Sequence, residues 1–129
     1  FNILTHGYHL SFQGLKVADL FAGSGALGLE CFSRGAQEVC FIENNLSVLE
    51  ILAENIHLLK ADKNSQIIKA TLPCLPLCLE AKDLIFLDPP YQKNLIIPSC
   101  HELQAKGWLK ADSLVCIETS LADIPQEIA

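Results

Sequence analysis

The stretch Lys16 to Glu30, KVADLFAGSGALGLE, restricts this chain more than any other. It reads as a short buried strand over Val17 to Phe21, a turn carrying Gly23 and Gly25, and a helix starting near Ala26. A strand that passes through a glycine turn into a helix belongs to an α/β sheet, and ligands sit at that join. The first helical N–H groups have no partner in the helix, and glycine lets a ligand approach the main chain. The spacing Gly23-x-Gly25-x-x-Gly28 also fits the dinucleotide fingerprint, so the turn points to a nucleotide-like cofactor without choosing one.

Asp19 tips that choice. It lies four positions before Gly23, at the carboxyl end of the strand. A pyrophosphate would meet a like charge there. A cofactor with an ammonium and a sulfonium, such as S-adenosylmethionine, would meet a complementary one. The plainer role for Asp19 is a helix-region cap or a solvated strand end.

The rest of the chain repeats the strand–helix alternation. Helix one runs from Ala26 to about Arg34 and stops at Gly35. A second strand, Glu38 to Ile42, ends at Glu43, eighteen residues beyond Gly25. That is close to the interval at which a strand-end carboxylate takes ribose hydroxyl protons. Asn45 to Ala61 is the clearest helix, with Val48, Ile51, Leu52, Asn55, Leu58 and Leu59 at helical spacing as an expected core stripe. Asp62 to Ser65 is a turn and Gln66 to Ala70 a third strand; Pro73 to Ala81 is irregular or a short helical piece. A fourth strand, Asp83 to Leu87, is continuously apolar from Leu84 and so expected to be buried on both faces. A helix from about Ile97 to Lys106 leads to a fifth, Leu114 to Ile117. Alternation of this kind specifies a mostly parallel, doubly wound sheet with right-handed crossovers. Asp19, Glu43, Thr71, Asp88 and Glu118 all fall at the carboxyl ends, where ligands gather. The start of the chain, Phe1 to Leu4, reads as the tail of a helix, and Tyr8 to Gly14 as a connector.

Composition narrows the class. The 129 residues make one domain, residues 1–129, half of them hydrophobic, and the longest apolar runs fall well short of a membrane span. No cleavable leader is visible, so a cytoplasmic protein without membrane contact is expected. Nine basic against fifteen acidic residues give a net charge of −6, so any nucleic acid must be gripped locally or by a part not in this chain. The sequence has no methionine, which marks it as processed or a fragment. Six cysteines (31, 40, 74, 78, 100, 116) sit in apolar settings without a C-x-x-C, and are expected as buried free thiols. Four scattered histidines show no metal-ligand spacing, so no metal is expected.

Asp88-Pro89-Pro90-Tyr91 is the most specific signal. Consecutive prolines fix φ, hold Asp88 out of helical geometry and contribute carbonyls without N–H groups. A rigid carboxylate beside a free carbonyl can accept both protons of an exocyclic amino group. Tyr91 adds a face on which a base can stack, worth about 1–3 kcal/mol. Drawing both amino protons away moves the nitrogen toward tetrahedral geometry and frees its lone pair for attack on a methyl carbon. Positioning does most of that work, and Asp88 supports the charge developing on nitrogen.

Together, Asp19-Leu-Phe-Ala-Gly-Ser-Gly-Ala-Leu-Gly-Leu-Glu30, Ser33-Arg-Gly-Ala36, the strand ending at Glu43 and Leu84-Ile-Phe-Leu-Asp-Pro-Pro-Tyr91 resemble the bacterial 16S rRNA guanine-N2 methyltransferase family. Gly107-Trp108-Leu109 and Glu118-Thr119 extend the resemblance over nearly the whole chain. It implies a Rossmann-like class I methyltransferase that uses S-adenosylmethionine to methylate a guanine N2 amino group of small-subunit RNA, free or in the assembling subunit, as a monomer. It implies that Asp19, Gly23 and Gly25 line the methionine part of the cofactor and Glu43 holds the ribose. Phe21, Asn44 and Asp88 complete that cofactor set, and Asp88, Pro89, Pro90 and Tyr91 hold the target base. The family has an acidic residue after strand three for the adenine amino group; here Thr71 stands at that place, and a hydroxyl accepts such a bond more weakly. The family also begins with a basic segment and ends with a further strand pair, so this chain reads as a piece truncated at both ends, its fifth strand an exposed edge. Three other readings share some of these residues: an adenine-N6 DNA methyltransferase, a non-catalytic cofactor-binding fragment, and a dehydrogenase.

Overall fold

In a computed structural model, residues 11–90 and 94–118 are described. The expected helix tail Phe1 to Leu4, the start of the Tyr8 connector, Tyr91 and Thr119 lie outside them. The element order is β1 (Lys16–Leu20), α1 (Ala26–Ser33), β2 (Glu38–Glu43), α2 (Leu46–Leu58), a 3-10 turn (Asp62–Asn64), β3 (Ser65–Lys69), β4 (Leu84–Leu87), α3 (Ile96–Ala105) and β5 (Leu114–Ile117).

The strands form one parallel sheet in the order β3-β2-β1-β4-β5. The chain winds outward from β1 through β2 to β3, then returns to place β4 on the other side of β1. That reversal puts a crevice at the carboxyl ends of β1 and β4, where α/β sheets hold ligands. β1 is the centre: Ala18 pairs with Cys40 on one side and Ile85 on the other.

Alternation along the strands fills two cores. Val17, Val39, Phe41, Leu84 and Phe86 face α1 and α2, meeting Leu29, Cys31, Leu52 and Ile56. Ala18, Leu20, Cys40, Ile42, Ile85 and Leu87 face the other way, toward Ile96 and Leu103 of α3 and Trp108. The sheet is therefore covered on both faces, as a parallel sheet must be. Gly28 permits the closest approach on the first face. A Cβ there would collide with the Phe41 ring and stand 2.9 Å from Val39 Cγ1.

Three expectations change in detail. α2 does not bury the stripe that its periodicity suggests: Ile51, Leu58 and Leu59 are exposed, and Leu52 and Ile56 carry the contact with Leu49 beside them. The helix is apolar around more than one face, so spacing alone could not say which stripe meets the sheet. Asn55, counted in that stripe, instead donates from Nδ2 to Ser24 O at 2.9 Å and ties the glycine turn to α2. Among the cysteines all six are free, but only Cys31 and Cys40 are fully buried and Cys74 is exposed.

The β3-to-β4 crossover contains no helix. Residues 70–83 run as turns and extended chain, and a few anchors hold them down. Leu72 and Leu75 are buried, and Trp108 Nε1 donates to Pro76 O at 2.9 Å. Lys82 N donates to Trp108 O, and the Lys82 ammonium lies 5.9 Å from the Trp108 ring centroid. Trp108 thus replaces the packing that a crossover helix would supply. Replacing Trp108 by Ala is expected to cost about 3–5 kcal/mol in urea unfolding. Trp108→Phe keeps most of the volume but orphans the Pro76 carbonyl, for a smaller loss of about 1–3 kcal/mol.

Candidate active site

The carboxyl edge of the sheet carries a cavity of about 680 Å³. Each strand contributes to its wall from its carboxyl end or the residues just after it. Phe21 comes from β1, Ile42, Glu43 and Asn44 from β2, and Ala70, Thr71 and Leu72 from β3. Asp88, Pro89 and Pro90 come from β4, Glu118 from β5, and Leu95 from the approach to α3. Of the residues marked out by sequence, Phe21, Glu43, Asn44, Thr71 and the Asp-Pro-Pro run therefore meet in one space.

Glu43 organises the near end. Its Oε1 accepts from Gly23 N at 2.9 Å, and its Oε2 accepts from Asn44 N and Asn45 N, each at 3.1 Å. One carboxylate thus ties the glycine turn of β1 to the start of α2. Oε1 keeps an acceptor position for a ligand hydroxyl. Asn45 in turn caps α2, its side chain accepting from Val48 N.

Asp19, Gly23 and Gly25 lie outside the cavity lining. Asp19 is 1% exposed, and its Oδ2 accepts from Gly28 N at 3.1 Å. It caps α1 from beneath, satisfying one of the four N–H groups that a helix start leaves unpaired; the Gly25 N-cap makes no side-chain bond of its own. The two turn glycines do different jobs. Nothing comes within 4 Å of where a Gly23 Cβ would stand, so its main chain faces open space. A Cβ on Gly25 would stand 2.5 Å from Leu52 Cδ1 and 3.4 Å from the Phe41 ring, so that glycine serves packing of the turn onto α2. Phe21 holds a left-handed φ of 62°, which ends β1 one residue before the sequence pattern did and turns its ring to the cavity. A bulky side chain in that region is strained, and such residues cluster at ligand sites.

Thr71 is not alone at its position. Asn44 Nδ2 donates to Thr71 Oγ1 at 3.1 Å, which leaves the Asn44 carbonyl oxygen and the Thr71 hydroxyl proton for a ligand. The pair can offer one acceptor and one donor side by side, the complement of an adenine N6–H and N1.

The edge is short of positive charge. Burial pushes the Asp19 carboxyl up to about 7, opposed by its bond to Gly28 and reinforced by Asp88 and Glu43. Burial also raises Asp88, and Glu118 adds to it. A cation entering this space relieves the repulsion among these carboxylates. Glu118 is the lining residue that motif reading placed at a strand end without giving it a role; its signal was the register of β5 beside β4.

The described residues contain no cluster of His, Cys, Asp and Glu able to hold a metal. No helix among them is long and apolar enough to cross a membrane.

Comparison with known proteins gives one family. Its model, Conserved hypothetical protein 95, matches residues 1–129. The chain is 33% identical over 103 residues to the ribosomal RNA small subunit methyltransferase D of Escherichia coli, covering 80% of this chain and 52% of the relative. The protein of the same name from Haemophilus influenzae is 37% identical over 123 residues, with 92% and 62% covered. The chain thus spans about half the length of the curated relatives it matches. A solved conserved hypothetical protein from Streptococcus pyogenes superposes with a TM-score of 0.81 at 34% identity, covering 99% of this chain and 81% of that one. These findings bear out the resemblance drawn from the motifs and the class I methyltransferase fold.

The Asp19 environment has a consequence for stability. An acid whose carboxyl rises from 3.8 to about 7 on folding holds its proton more tightly in the folded state. Its contribution to stability is therefore greatest below the unfolded value and falls as pH rises from about 4 to 7, by at most about 4 kcal/mol. Asp19→Asn should flatten that slope in urea unfolding followed across this range; an unchanged slope would assign the loss to other groups.

Proposed function

The chain belongs to the conserved hypothetical protein 95 family, and we propose that its parent protein methylates a guanine N2 amino group in small-subunit ribosomal RNA. The donor is S-adenosylmethionine, and the substrate is 16S RNA, free or in the assembling subunit. Residues 1–129 are the catalytic core as one domain, acting as a monomer in the cytoplasm.

One observation carries this reading: a single cavity has cofactor-type groups at one end and the Asp-Pro-Pro run at the other. The residues present fit the cofactor. The volume lies within the usual range for a small-molecule site, about 300–1,000 Å³. Glu43 Oε1 can accept a ribose hydroxyl, the Asn44–Thr71 pair complements adenine, and the open main chain at Gly23 allows close approach. Asp19 acts on the cationic part as a charge beneath the turn, and Gly25 and Phe21 shape the turn that covers it. Bound there, S-adenosylmethionine supplies a methyl carbon made electrophilic by its sulfonium.

The chain's own residues prepare the acceptor. Asp88 and the carbonyl of Pro89 accept the two N2 protons of the base, which Tyr91 stacks. With both protons engaged the nitrogen lone pair leaves the ring system. As nitrogen gains positive charge Asp88 can take the proton released, and its raised affinity for protons suits that step. With a net charge of −6, this chain offers the RNA backbone a local grip at most.

The test is calorimetric titration of the full-length protein with S-adenosylmethionine, plus transfer of labelled methyl to small-subunit RNA and mapping of the product. N2-methylguanosine is expected. Cofactor heat without product would leave a non-catalytic binding protein, and N6-methyladenine in DNA would select the other amino methyltransferase class. Asp88→Ala is expected to lower turnover by at least about 100-fold while cofactor affinity changes less than about threefold. Equal loss of both would make Asp88 a residue that shapes the cavity.

A further inference from the structure

We propose that Glu118 selects the base, accepting the N1–H of a guanine beside Asp88 and turning adenine and cytosine away. This rests on the methyl-transfer reading above.

The placement comes from the sheet. β4 and β5 are parallel, with Leu87 opposite Ile117, and Glu118 N donates to Leu87 O at 3.0 Å. Asp88 and Glu118 are thus the next residues on neighbouring strands, whose backbones run about 4.8 Å apart. Both line the cavity. Among the described residues the Glu118 main chain is anchored, and its carboxylate accepts no hydrogen bond and forms no ion pair. Two carboxylates side by side repel unless donors come between them.

Only one nucleobase brings the required donors. A guanine presents N1–H next to N2–H₂, three protons along one edge. Asp88 and the Pro89 carbonyl take the amino protons, and Glu118 takes N1–H. Adenine and cytosine also carry an exocyclic amine, but beside it stands a bare ring nitrogen. Its lone pair would face the Glu118 carboxylate, with no proton between them. Uracil has no exocyclic amine. A second acceptor next to Asp88 therefore distinguishes guanine by its ring proton, which the Asp-Pro-Pro run alone does not read.

The probe is a small-subunit RNA whose methylated guanine is replaced by 2-aminopurine, which keeps the amine and has an unprotonated N1. The full-length protein is assayed on both RNAs, as wild type, Glu118→Gln and Glu118→Ala, with S-adenosylmethionine affinity measured for each. The wild type is expected to prefer guanine by at least about 100-fold in kcat/KM, as sites built on a hydrogen bond do. Both variants should shrink that preference at least about tenfold while binding the cofactor within about threefold of wild type. Loss of activity on both RNAs by the same factor, with the preference intact, would overturn the assignment to Glu118 and leave the methyl-transfer reading standing. If the wild type places no methyl on guanine N2, both fall together.

Discussion

The carboxylate of Glu43 is the fastening on which this edge of the protein depends. Three main-chain N–H groups converge on it, one from the glycine turn after β1 and two from the loop that starts α2. Hydrogen bonds from neutral donors to a charged acceptor are shorter and stronger than neutral ones. They also remove three N–H groups that would otherwise be left without partners at two loops. Asn55 holds the same turn from α2 through Ser24. The position of Phe21, and so the shape of the cavity floor, follows from those contacts.

This order is bought with electrostatic frustration. Asp19, Glu43, Asp88 and Glu118 share one edge of a chain that carries a net charge of −6. The fold tolerates the crowding in three ways. Glu43 gives its charge to backbone donors, burial makes Asp19 hold its proton more tightly than an exposed carboxyl, and Asp88 and Glu118 remain open to solvent. A ligand with cationic and hydrogen-bond-donating parts completes what the sheet leaves unfinished, which is why the two ends of the cavity suit different halves of one reaction.

Much of this was legible in the sequence. Strand–helix alternation specified the parallel sheet, and strand-end residues specified its ligand edge, because both follow from local pattern and from the single hand of the crossovers. The Asp-Pro-Pro run was legible because proline chemistry is local. What was not legible depends on partners far apart in the chain. The sequence points Asp19 toward a cofactor or toward a cap, and only the fold supplies its capping contact, the bond from Gly28 N. Spacing marks Glu43 as a strand-end acceptor, but its three bonds from the loops after β1 and before α2 depend on contacts that spacing does not give. The stripe of α2 that meets the sheet depended on the register of packing, and Leu58 and Leu59 lost to Ile56. Tyr91 falls outside the described residues, so its part rests on sequence.

The cavity that runs from Thr71 to Glu118 has no cysteine, serine or histidine among its described lining residues. A chemical group handed from one occupant to another there meets no thiol or imidazole among the described lining residues on which to rest along the way. On the proposed function, catalysis proceeds through a ternary complex with both occupants in residence, and kinetics should show intersecting lines in place of parallel ones.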